Sequence, residues 1–251
     1  MRQMAIMGFP HSGTSILKRI IGNAPGVFEF PYETNAITAE IMAAAAAQSK
    51  TAVVVKDINF PWMESYFIPD DRPTIITEFK EFLTNHPNCR FVMVNKNPYD
   101  IFGSLNKRFG IPANAGDHPP GHSFREWETW AEVFTFFDVN PPTNLFTIRY
   151  EDFFTNGHAR LRDLCGFLQM TFTDELLNSD RPSLIVENVS DVPAGEPTSR
   201  ENGPSHGAFR TWQINQTFRD MTGESAKFLD QGTKTLIQSS KIVQRLYTLP
   251  A

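Results

Sequence analysis

The sequence predicts an α/β domain of three layers, a central parallel sheet with helices on both faces. Short β-rich runs at 2–7, 51–55, 90–94 and 144–149 are separated by enough chain for helical crossovers. Within them, Val53-Val54-Val55 and Phe91-Val92-Met93-Val94 are apolar without alternation, the pattern of strands covered on both faces. A chain of 251 residues, 41% hydrophobic and 12% aromatic, can bury one substantial core, so a single domain over 1–251 is expected.

The elements follow in order. After the first run, helical patterns cover 13–21, 34–48, 74–86, 98–109, 123–137, 159–168 and 222–247. The alanine-rich stretch Ala43 to Ala47 has strong helix propensity and suits close packing on a neighbour. Trp127, Trp130, Phe134 and Phe137 recur at helical spacing and read as a core-facing stripe. Two stretches break the alternation. Residues 110–122 and 179–209 are rich in Pro, Gly, Ser and Asn, as lids or acceptor-binding loops are.

Composition excludes several classes. Lys plus Arg number 23 against 28 Asp plus Glu, so a net charge of −5 offers no global attraction to nucleic acid or to an anionic membrane. Met4 to Met7 runs into Gly8 too soon for a signal peptide, and no stretch approaches a membrane span. A soluble, cytoplasmic protein is expected, with Cys89 and Cys165 as reduced thiols near the core. His118-Pro-Pro-Gly-His122 has the spacing of a helical zinc site, but its two prolines forbid the helix, and no metal is expected.

Chemistry concentrates where strands end. Gly8-Phe9-Pro10-His11-Ser12-Gly13-Thr14-Ser15 follows the first strand and opens a helix with apolar positions at Ile16, Leu17, Ile20 and Ile21. In that arrangement backbone N–H groups and a helix N-terminus surround a phosphate, and Ser12, Thr14 and Ser15 add hydroxyl donors. The domain is therefore of P-loop type. Against the triphosphatase pattern G-x-x-x-x-G-K-[ST] the spacing is kept, but Thr14 stands where lysine contacts the terminal phosphates. This counts against ATP or GTP chemistry.

A second anion anchor is legible downstream. Arg90 to Asn95 leads through Lys96 and Asn97 to Pro98, at the expected first helical position, and to Ser104 on the helix. The chain must turn between Lys96 and Ser104, so a cation and a hydroxyl can converge on one anion. Tyr32-Glu33-Thr34-Asn35 follows the first crossover helix, and Val55-Lys56-Asp57 ends the next strand, at the sheet edge where ligands gather.

These segments resemble PAPS-dependent sulfotransferases, most closely the tyrosylprotein and carbohydrate enzymes. Pro10 to Ser15 looks like their 5′-phosphosulfate loop, P-K/R-S-G-T-T/S, with His11 at the basic position. Lys96 to Ser104 is similar to their 3′-phosphate motif, R-x-P-x-D-x-x-x-S, with lysine replacing arginine: the charge is kept and the bidentate fork lost. Glu33-Thr34 resembles the segment that supplies their base, and Lys56-Asp57-Ile58 resembles K-D-P, whose lysine serves the leaving group. Arg149-Tyr150-Glu151-Asp152 looks like an R-Y-E-D segment whose tyrosine lies near the adenine, and Gly207 to Trp212 faintly resembles a late segment from which Arg200 or Arg210 reaches the 3′-phosphate.

The resemblance implies sulfuryl transfer from PAPS to a hydroxyl acceptor, a sugar, a phenol or tyrosine, or another small molecule, with PAP as product. Glu33 is then the base with His11 as its rival, and Lys56 with His11 offsets the charge on the leaving oxygen. Two alternatives stand beside it: a P-loop kinase acting on a small molecule, and a degenerate module that binds a nucleotide without catalysis.

Overall fold

The computed structural model describes residues 1–34, 36–56, 72–109, 123–177 and 218–247. Five strands form one parallel sheet: β1 (Arg2–Gly8), β2 (Val27–Glu33), β3 (Ala52–Lys56), β4 (Cys89–Asn95) and β5 (Leu145–Arg149), in the order β2-β3-β1-β4-β5. The described helices are α1 (Thr14–Gly22), α2 (Ala39–Ala47), α3 (Arg72–Asn85), α4 (Pro98–Phe109), α5 (Phe124–Val139), α6 (Ala159–Phe167), α7 (Gln231–Ser239) and α8 (Lys241–Leu246).

Strand periodicity divides the core in two. Ala5, Met7, Val53, Val55, Phe91 and Met93 point into a cluster with residues of α2 to α5, α7 and α8. Their neighbours Met4, Ile6, Val54, Val92 and Val94 point the other way, onto Leu17, Ile20 and Ile21 of α1 and Leu161 and Leu164 of α6. The three predicted layers are thus present. Burying each of the larger of these side chains contributes about 1.5–3 kcal/mol, which explains why the central strands read as continuous apolar runs.

Three elements differ from the sequence reading. β2 was not expected: VFEFPYE carries a proline and two glutamates, a composition that an edge strand paired on one side tolerates. In consequence Glu33 ends a strand, and the helix expected from residue 34 starts at Ala39, where Thr38 accepts a hydrogen bond from the Ile41 amide. The long helix over 222–247 is instead a 3-10 turn at Ala226–Phe228 followed by α7 and α8. Asp230 caps α7 through the Thr233 amide and Ser240 caps α8 through the Val243 amide, each cap restarting the chain in a new direction.

Other termini follow their local chemistry. Ser123 and Glu126 form a reciprocal capping box at α5. At α4 the Asn97 side chain accepts from the Tyr99 amide at 3.0 Å, next to Pro98 in the first turn. Cys89 and Cys165 are free and buried, as expected. Among the described residues no helix is long and apolar enough to cross a membrane. The stretches 110–122 and 179–209, with His118 and His122, lie outside the described residues.

Candidate active site

The glycine turn leaves the central strand of the sheet. A Cβ on Gly8 would stand 2.6 Å from Ser12 Oγ and 2.8 Å from the Val94 carbonyl, so the backbone passes where no side chain fits. Gly13 has φ 93° and precedes α1; a Cβ there would stand 2.4 Å from Cδ2 of Tyr150. The start of α1 has no side-chain cap among the described residues, and a helix N-terminus is a place where a phosphate is readily held. Ser12 is fully buried and its Oγ has no hydrogen-bond partner among the described residues, while Thr14 is buried and Pro10 and Ser15 are half-buried. His11 holds φ 66°, a left-handed conformation that costs a non-glycine residue about 1–3 kcal/mol. A strained backbone and an unmet buried hydroxyl in one turn fit a phosphate cradle.

Helix α4 meets this turn directly, because His11 Nδ1 lies 3.0 Å from Ser104 Oγ. Lys96, just beyond β4, is buried, and its Nζ lies 3.9 Å from the centroid of the Tyr150 ring. It makes no hydrogen bond or ion pair to another described residue. Burial lowers the affinity of Lys96 for its proton, against the opposing pull of Asp100, Glu151 and Asp220. Tyr150 therefore stands between the two anchors, one part of its ring against Gly13 and its face beneath Lys96. Its hydroxyl is pushed well above the ordinary range by burial.

Two carboxylates frame Lys96. Glu151 accepts a 2.8 Å hydrogen bond from the Asn97 amide, and burial raises its pKa. Asp100 accepts from the amides of Gly223 at 2.8 Å and Ser225 at 3.2 Å. Gly103 lies so close to the Ser225 carbonyl that a Cβ would come within 2.0 Å of its oxygen. The sequence reading missed the tie from Asp100 to residues 223–225, and its only local signal was the aspartate in the first turn of α4.

On the other side of the turn, Glu33 and Lys56 are register partners on β2 and β3, and their side chains form an ion pair. Lys56 is buried, the Glu33 side chain is a third exposed, and Lys56 is also the register partner of Ile6, two residues before Gly8. Lys18 of α1 is a further residue the sequence reading missed. Its buried ammonium bonds backbone carbonyls of β2. The structure thus brings Glu33 and Lys56 together, and His11 and Ser104 together, with Lys96 beside the turn through Tyr150. Arg200, Arg210 and Trp212 lie outside the described residues.

A family model described as the sulfotransferase domain matches residues 1–241. No curated protein sequence matches the chain. Among solved structures, the sulfotransferase domain from the curacin biosynthetic pathway is 15% identical, with 99% of each chain covered and a TM-score of 0.54, and so has the same fold. The sulfotransferase domain from the Synechococcus PCC 7002 olefin synthase is 15% identical over 100% of this chain and 96% of that one, at a TM-score of 0.48. The mouse sulfotransferase SULT7A1 complexed with PAP is 13% identical over 98% and 88%, at a TM-score of 0.49.

Proposed function

This chain belongs to the sulfotransferase domain family and the group it transfers is sulfuryl; we propose that its donor is PAPS, its acceptor a hydroxyl, and its base Glu33. The observation that carries the donor is the pair of anion sites on either side of Tyr150. One is the glycine turn, where the Ser12 hydroxyl has no partner among the described residues; the other is the buried Lys96 ammonium, which bonds no described acceptor. A nucleotide phosphorylated at both its 5′ and 3′ positions meets both, and ATP meets only the first.

In this reading Pro10 to Ser15 hold the 5′-phosphosulfate, Lys96 and Ser104 hold the 3′-phosphate, Tyr150 walls the nucleotide side, and Arg210 adds a cation. When bound, PAPS supplies the sulfuryl group and PAP is the product. Glu33 accepts the proton of the acceptor hydroxyl. As its charge is lost, Lys56 is released from the ion pair to face the departing oxygen, beside His11. The acceptor hydroxyl belongs to a sugar, a phenol or tyrosine, or another small molecule.

Calorimetric titration with PAP, ADP and ATP, each with and without Mg²⁺, tests the donor. PAP is expected to bind most tightly and independently of Mg²⁺; tighter Mg²⁺-dependent ATP binding would instead establish a kinase. For the base, the measurement is turnover of Glu33→Ala, which a wild-type rate would exclude.

A further inference from the structure

We propose that Lys18 is a positioning residue for Glu33, acting through a bulge in β2. The proposal rests on the reading of Glu33 as the base. From Val27 to Glu29, β2 pairs with β3 in one register, with Glu29 opposite Val54; pairing resumes two residues out of step, with Glu33 opposite Lys56. Had the first register continued, Pro31 would face Lys56. The bulge brings the carboxylate to the lysine.

Bulged residues lose their ladder partners, and buried carbonyls left there must find donors elsewhere. Here one side chain supplies them. Lys18 Nζ donates to the Phe30 carbonyl at 2.7 Å and reaches the Pro31 carbonyl at 3.3 Å, and it lies 3.7 Å from the Glu29 carboxylate at the end of the first register. Lys18 is 3% exposed, so water competes little for these contacts. Pro31 has no N–H, so its carbonyl is the only backbone group through which it can be tied down. Strand pairing is recovered immediately beyond, where the Thr34 amide donates to the Lys56 carbonyl at 3.1 Å.

The lysine also belongs to α1, the helix that begins at the glycine turn. A single side chain thus links the helix that starts at the phosphosulfate loop to the segment that carries the base. Lys18 touches neither donor nor acceptor in this scheme; it sets the distance between the groups that do.

The test is a double-mutant cycle of Lys18→Met and Glu33→Ala, read as single-turnover rate with PAPS and as PAP affinity. Lys18→Met is expected to lower the rate about ten- to hundredfold, the scale of a misplaced catalytic group, with PAP affinity and KM for PAPS little changed. In the Glu33→Ala background it should lower the rate no further. Lys18→Arg, which keeps a charged donor, should recover most of the rate. Lys18→Gln is measured in parallel, so that the cycle can be completed if the methionine variant does not fold. A wild-type rate for the Lys18 variants, or a full additional loss in the Glu33→Ala background, would overturn the proposal. A wild-type rate for Glu33→Ala alone overturns the reading of the base instead.

Discussion

The Nδ1 of His11 and the Oγ of Ser104 lie 3.0 Å apart across 93 residues of sequence, so the glycine turn and helix α4 share a hydrogen bond at the centre of the site. A ligand on either element acts on both. His11→Ala is expected to lower kcat about a hundred- to a thousandfold, in line with removal of a donor at a developing charge. Ser104→Ala should chiefly weaken PAP. Because the two side chains touch, steady-state kinetics of the double variant should show a loss smaller than the sum of the single losses in free energy.

Lys96→Met is expected to weaken PAP by about ten- to a hundredfold, the worth of a hydrogen bond to a charged group. AMP, which lacks the 3′-phosphate, should bind the variant and the parent alike. Calorimetric titration of both ligands distinguishes this from general damage to the nucleotide site.

Burial holds the Lys96 pKa below its ordinary 10.5. Between the lowered value and 10.5 the unfolded chain keeps a proton that the folded, ligand-free protein has lost, so this group makes stability rise with pH across that window. An anion beside Lys96 reverses the shift. Binding of PAP should therefore take up a proton in the window, and affinity should fall as pH rises through the lowered value. Titrations in two buffers of different ionisation enthalpy measure the uptake, which should vanish in Lys96→Met.

Gly13→Ala should abolish PAP binding and destabilise the fold by about 1–3 kcal/mol or more, through a strained φ and a clash with the Tyr150 ring. Gly157→Ala is the control. Gly157 also has positive φ, 61°, but a Cβ there meets nothing within 4 Å, so only the backbone term of about 1–2 kcal/mol remains. Thermal melts of the two variants separate the steric from the conformational cost.

Cys165 is buried, and desolvation pushes its thiol up to about 11. At pH 8 roughly one part in a thousand is thiolate. Alkylation of the native protein at pH 8 should leave Cys165 unmodified until the fold is opened with denaturant, as mass spectrometry of timed samples would show.

Much of the fold is legible in the sequence. β3, β4 and Met4 to Met7 of β1 were visible because burial on both faces leaves an uninterrupted apolar run, β5 showed as a short β-rich run although Thr147 breaks it, and α4 matched from Pro98 to Phe109 because its first turn is marked by Asn97 and Pro98. β2 was not visible, since an edge strand needs neither continuous apolarity nor freedom from proline, and its bulge erases the period-2 signal. The turn from Gly8 to Ser15, between β1 and α1, could be placed from residue types alone. The pairs that organise the site could not: Glu33 with Lys56, His11 with Ser104 and Lys96 with Tyr150 are set by strand register and helix packing, which no local pattern encodes.

Asp100 accepts two amides from residues 223–225 while Gly103, one residue before Ser104, rests on the Ser225 carbonyl. The far end of the chain is thereby buttoned to the helix that carries the site serine. A ligand that shifts α4 is expected to alter the amide exchange of Gly223 and Ser225, which makes these two amides a remote gauge of occupancy at the proposed site.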